Sequence, residues 1–327
     1  MSEKRLKIYF LNSPYLTRRI KCIIIHFIEK GLLYMYADYN LITYDNINYT
    51  VDMLRLKTDI TYSDFSKLEF KLKALYEDNV KNLYISNSIS EFKYNYNIEI
   101  GEGLSYWFGF IHNSEIINKG KSLSNDKTTF NFTVEFNPNK IAINGLLKQI
   151  LNMSSNWIVK SLDMAMDIKI NILDLCGIDK GRKKDFRMFT EGLDNRTYYL
   201  GRTNNRIKIY NKKIESNLDY DLTRVEITSK LDINIKDILF YNYNVKLPDL
   251  YLNNYLYTFS DYKDKTLLAI LYAIQSGYCI NDLPRIQKQK VKKLLEGNYK
   301  INLSNEYCTK SIKQCICNIF NIEGREL

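Results

Sequence analysis

The chain has 327 residues, 45% of them hydrophobic and 26% charged, a globular balance that excludes wholesale disorder. Its formal charge of +10 favours a polyanionic partner, nucleic acid first. Two histidines (His26 and His112) leave too little for a histidine-rich metal site or a Ser-His-Asp triad. The six cysteines lack paired metal spacing, and the longest apolar run, 22–28, is far too short to span a bilayer. A cytoplasmic protein with reduced thiols is expected, with no membrane partner.

In chain order, Ser13-Pro14 reads as a helix start and Lys30-Gly31 as a stop, with Ile20, Ile24, Phe27 and Ile28 at helical spacing between them, so 1–48 is expected to be a helical appendage. From 49 the pattern alternates: strand 51–57, helix 63–76, strand 82–85, then strands 92–100 and 104–111 joined by the turn Gly101-Glu102-Gly103. A second unit follows, with strand 128–137, helix 141–152 and strand 157–170. A polar helical stretch and strands near 197–201, 206–211 and 222–229 complete it. The recurrence of pattern suggests a degenerate duplication. The expected fold is α+β, with a mostly antiparallel central sheet in a domain spanning 49–235. Residues 236–327 form a helical extension, in which Leu267, Leu268, Leu271 and Ile274 share a face. The stretch 283–295 carries Arg285, Lys288, Lys290, Lys292 and Lys293, either as a solvated face or as a DNA contact.

Side chains alternate along a strand, so polar residues at every second position mark one polar face. Four segments show this: Thr133, Glu135 and Asn137; Asp163 and Asp167 flanking the small Ala165; Arg206, Lys208 and Tyr210; and Arg224, Glu226 and Thr228. If these strands are neighbours, one surface gathers four carboxylates, a tyrosine and several cations. A divalent cation would offset the repulsion, and oxygen ligands with few imidazoles suit Mg²⁺ or Mn²⁺, the usual metals of phosphoryl transfer. A free tyrosine is only ~0.1% phenolate at pH 7, and a metal with Lys208 nearby is expected to favour the phenolate of Tyr210. By pattern alone, one tyrosine among 27 is a packing or rim residue before it is a nucleophile.

The runs VEFNPNK (134–140), LDMAMD (162–167), YYLGRTNNRIKIYNKK (198–213) and RVEIT (224–228), in this order, resemble the Rep_trans family of plasmid rolling-circle replication initiators. The resemblance covers 51–233. It implies a metal-dependent, site-specific DNA nicking-closing enzyme that works without paired histidines and forms a 5′-phosphotyrosine through Tyr210. Glu135, Asp163, Asp167 and Glu226 become candidate metal ligands or their supporting shell. Arg206, Lys208, Lys212, Lys213 and Arg224 become candidate phosphate contacts, or else internal ion-pair partners. The family also implies a homodimer acting on a hairpin origin, single-stranded at the nick, with a host helicase as partner. Ser161 departs from the family, which is often basic there. A conjugative relaxase of the same chemistry and a catalytically silent DNA-binding regulator are the alternatives. The basic stretch 180–187 and the C-terminal helices are expected to carry origin specificity.

Overall fold

The computed structural model describes residues 24–27, 32–35, 47–77, 83–85, 94–101, 104–113, 117–118, 121–122, 129–143, 145–179, 186–191, 195–201, 206–252, 264–275, 278, 280–296 and 300–322. Two short strands come first, β1 (Ile24–Phe27) and β2 (Leu32–Met35), paired antiparallel. The helix expected over 13–31 is therefore a strand at 24–27, where consecutive β-branched isoleucines favour an extended chain; its first turns lie outside the described residues. Next are β3 (Ile47–Thr61), α1 (Tyr62–Glu77), β4 (Leu83–Ile85), β5 (Tyr94–Gly101), β6 (Leu104–His112), the small pair β7 (Ile117–Asn118) and β8 (Lys121–Ser122), β9 (Thr129–Phe136), α2 (Gly145–Leu151) and β10 (Ile158–Ile168). The remainder comprises β11 (Leu175–Asp179), β12 (Phe186–Glu191), β13 (Asn195–Leu200), β14 (Ile207–Asn211), α3 (Lys212–Glu215), β15 (Thr223–Asn234), β16 (Asp249–Leu252), α4 (Lys265–Gln275), α5 (Arg285–Leu295), β17 (Lys300–Ile301) and α6 (Asn305–Phe320).

The chain divides into two compact units. The larger (46–173, 180–248 and 303–327) is built on a ten-stranded antiparallel sheet ordered β12-β13-β14-β15-β10-β3-β9-β6-β5-β4. Its two halves repeat one topology. From β3 the chain passes to the far edge at β4 and meanders back through β5, β6 and β9 to β3's side. From β10 it passes to the opposite edge at β12 and meanders back through β13, β14 and β15 to β10's side. The duplicated pattern of the sequence is thus a repeated strand order about the central β3–β10 pair. The polar stretch expected to be helical between the halves holds strands β11 and β12 among its described residues. β12 is an edge strand with five of six residues exposed, so no burial alternation marked it as a strand.

One face of the sheet is apolar. Leu54, Leu56, Phe108, Phe110, Phe130, Phe132, Val134, Phe136, Leu162, Met164, Met166, Ile207, Ile209, Val225 and Ile227 alternate inward, each nearly or fully buried. Phe65 of α1 stacks on Phe130 at 4.5 Å between ring centres. Trp157 packs on Phe132 and donates its indole N–H to the carbonyl of Leu151 at 2.7 Å. α6 covers the same face beside β3, where Ser311 donates to the Tyr49 carbonyl. The opposite face carries the polar residues.

The smaller unit joins β11, β16 and β17 in a three-stranded antiparallel sheet with α4 and α5, whose Leu267, Leu271, Ile274, Val291 and Leu295 surround Tyr251. The expected C-terminal extension, 236–327, is therefore shared: 249–302 lie in this unit, and 236–248 and 303–327, with α6, lie in the sheet unit. Among the described residues no helix is long and apolar enough to cross a membrane.

Candidate active site

The register of four neighbouring strands builds the polar face row by row. Tyr210 on β14 stands opposite Arg224 on β15, which stands opposite Asp167 on β10. In the next row Lys208 faces Glu226, which faces Ala165. Beyond that, Thr228 faces Asp163, and Ser161 faces Arg55 of β3, which faces Glu135 of β9. All four acids from the sequence reading thus lie on one face together with Tyr210.

A residue the alternation does not reveal joins them. Between Met53, opposite Asp163, and Val51, opposite Met164, β3 carries one extra residue, a β-bulge that lets both Asp52 and Met53 stand on the polar face. Strict alternation places Asp52 with Leu54 and Leu56 on the apolar side. The readable sign is the three-residue spacing from Val51 to Leu54, both buried. Asp52 accepts from Asn137 Nδ2 at 3.1 Å and from Arg224 at 3.2 Å, while Asn137 Oδ1 caps the turn after β9 by accepting from the backbone N–H of Asn139.

Most of the charges are held in close ion pairs. Arg224, 8% exposed, donates to both Asp167 oxygens at 2.6 and 2.7 Å and also reaches Asp52. Burial works against its charge, but the carboxylates more than offset that and hold the guanidinium above the usual arginine range. Glu135 is ion-paired with Arg55, Lys212 with Glu215, and Lys213 with Asp221 at 3.0 Å. Asp163 and Glu226 differ. Burial first, then neighbouring carboxylates, push both acids above the ordinary carboxyl range: Glu135 and Asp52 act on Asp163, and Asp163 acts on Glu226. Among the described residues no three His, Cys, Asp or Glu side chains group as for a metal ion. A hydrogen bond from Thr228 and the charge of Arg206 favour ionised Asp163, and Lys208 and Arg224 favour ionised Glu226, but burial and mutual repulsion outweigh them in this pair.

Tyr210 is 5% exposed, and its hydroxyl donates to Glu226 Oε2 over a long 3.4 Å. Lys208 Nζ lies 3.8 Å from the centre of its ring and Lys212 Nζ 5.9 Å. Burial first, then Glu226, push the phenol well above its ordinary value, with Arg224 acting in the other direction. The groups expected from the sequence to favour the phenolate are Lys208 and a divalent cation together. In the protein alone desolvation wins, so the resting hydroxyl is protonated and aimed at an acceptor. Arg206, exposed at the start of β14, lies over the Tyr199 ring at 5.4 Å.

No family model matches the chain, and no curated protein matches it. Among solved structures, the rolling circle replication initiator protein from Geobacillus stearothermophilus is similar over 84% of this chain and 96% of its own length, with 14% identity and a TM-score of 0.31.

Proposed function

We propose that this chain is a site-specific DNA nicking-closing enzyme that initiates rolling-circle replication of a plasmid or mobile element, with Tyr210 as nucleophile. The observation that supports it most is the Tyr210 hydroxyl directed at Glu226, on a face that also presents Asp163, Lys208 and Arg206. Arg206 and Lys208 spend their charge over aromatic rings and are the cations best disposed to take phosphates.

With single-stranded DNA bound, Glu226 accepts the phenolic proton as Tyr210 Oη attacks phosphorus. The Oη–P bond forms and the P–O3′ bond breaks. The departing 3′ oxygen takes a proton from water, leaving a 3′ hydroxyl and a 5′-phosphotyrosine. Attack by a 3′ hydroxyl on the same phosphorus reverses the sequence and rejoins the strand. Lys208, over the ring, favours the developing phenolate. Arg224, opposite Tyr210 on the neighbouring strand, is a positioning residue held by Asp167 of β10 and Asp52 of β3.

The Asp163–Glu226 pair, on one face and with burial and repulsion working against both charges, would suit a divalent cation that keeps most of its water. Asp163, and the Glu226 oxygen that Tyr210 does not face, would hold Mg²⁺ or Mn²⁺, which when bound polarises the scissile phosphate. Asp163→Asn is expected to weaken Mn²⁺ binding, followed by electron paramagnetic resonance of free Mn²⁺, by about 10-fold or more. Unchanged binding would remove Asp163 from the site. By the motif resemblance the enzyme works as a homodimer on a hairpin origin and passes the opened strand to a host helicase.

The test is incubation of wild-type and Tyr210→Phe protein with hairpin-bearing single-stranded origin DNA and Mn²⁺, followed by a denaturing gel. Wild type gives a protein-DNA adduct that chelator abolishes and the variant lacks; an adduct persisting in the variant would overturn the assignment. The burial of Tyr210 favours a second reading, a DNA-binding regulator without catalysis. That reading requires tight, specific binding and no adduct from either protein.

A further inference from the structure

The polar face continues past Tyr210 to the sheet edge, and its residues there are aromatic and cationic by turns. Phe189 on β12 faces Thr197 on β13, which faces Tyr210. In the neighbouring row Arg187 faces Tyr199, which faces Lys208. Phe189 is 57% exposed on this face, and Tyr199 is half-buried. Its ring stands edge-on to Tyr199, 5.6 Å between centres at 86°, and Arg206 lies over Tyr199 from the other strand. Arg187 and Arg206 are both exposed.

From this we infer that Phe189 and Tyr199, with Arg187 and Arg206, form a platform on which unpaired bases of single-stranded DNA stack beside the nucleophile. Aromatic rings interleaved with cations are the surface that single strands require: rings take bases regardless of sequence, and guanidinium groups take the phosphates between them. Duplex DNA hides its base faces and gains nothing from the rings. The span also fits. Phe189 is two strands from Tyr210, about 10 Å at the spacing of paired strands, the rise of about 3 stacked nucleotides. A strand lying across β12 and β13 would therefore carry its backbone to the Tyr210 hydroxyl with its bases anchored.

The inference rests on the nicking assignment for its role but is tested apart from it, in Tyr210→Phe protein with chelator present, where no cleavage takes place. The readout is fluorescence anisotropy of a short labelled oligodeoxythymidylate and of a duplex of equal length. Phe189→Ala and Phe189→Leu should each weaken single-strand binding about 10-fold, the leucine variant keeping apolar volume but losing the ring. Duplex binding should stay as in the parent. Arg206→Gln should reduce the slope of log affinity against log salt by about 0.7, the loss of one phosphate contact. Single-strand affinity unchanged in both Phe189 variants would overturn the platform, as would equal losses for single strand and duplex. So would sedimentation showing that Phe189→Ala merely converts a dimer to monomer with oligonucleotide affinity intact, since β12 would then be a contact between copies. An adduct missing from wild type alongside these single-strand losses would leave the platform standing and remove the nicking reading alone.

Discussion

Replacing Arg224 with Met unfolds the larger unit more readily than any other single change at the site, by about 3–5 kcal/mol. The side chain is nearly isosteric along its stem, so the loss is electrostatic. Asp167 and Asp52 would remain, one buried and one half-buried, without the guanidinium that bridges β15, β10 and β3. The midpoint of thermal unfolding should fall by on the order of 10 °C. Arg224→Lys should recover only part of this, because an ammonium cannot grip both Asp167 oxygens and reach Asp52 together. The triple variant with Asp167→Asn and Asp52→Asn should recover more than either single addition, and strict additivity would argue that the three do not act as a unit.

Glu226→Gln has the opposite effect on stability and a large effect on chemistry. As the proposed acceptor of the Tyr210 proton, Glu226 should contribute about 10²–10⁴-fold to the rate of adduct formation, which the amide would not supply. Its folded-state value lies above the ordinary range, through burial and then Asp163. A carboxyl so placed costs nothing below its unfolded value, because it is protonated in both states, and destabilises increasingly as pH rises through the folded value. The glutamine variant should therefore match wild type in acid, below the ordinary carboxyl value, and unfold at a higher temperature than wild type at pH 7. A variant both slower and less stable at pH 7 would mean that Glu226 is matched to a counter-charge and is not the acceptor.

Much of this site is legible in the sequence because alternation on a strand with one apolar face is a strict geometric rule. Met164, Met166 and Ile168 assign Asp163 and Asp167 to the other side, and Ile207 and Ile209 do the same for Lys208 and Tyr210. Which strands are neighbours is not contained in alternation, and the β14-β15-β10-β3-β9 order that brings these faces together emerges only in the fold. Asp52 escapes because a bulge reverses the alternation at its own position. The edge strand β12 escapes because an exposed strand needs no apolar period, and with it Phe189. The burial that raises the Tyr210 value in the protein alone escapes as well, because the sequence shows only the neighbouring charges. Ser161 lies opposite Arg55, so a cation is present in that row from the adjacent strand.

The most direct measurement locates the nucleotide. After incubation with origin single strand and Mn²⁺, exhaustive nuclease digestion and trypsin, mass spectrometry should find a nucleotide on the peptide of residues 209–212, Ile209-Tyr210-Asn211-Lys212, attached at Tyr210 and absent from chelated samples. A nucleotide carried by any other of the 27 tyrosines, with residues 209–212 unmodified, would contradict the account.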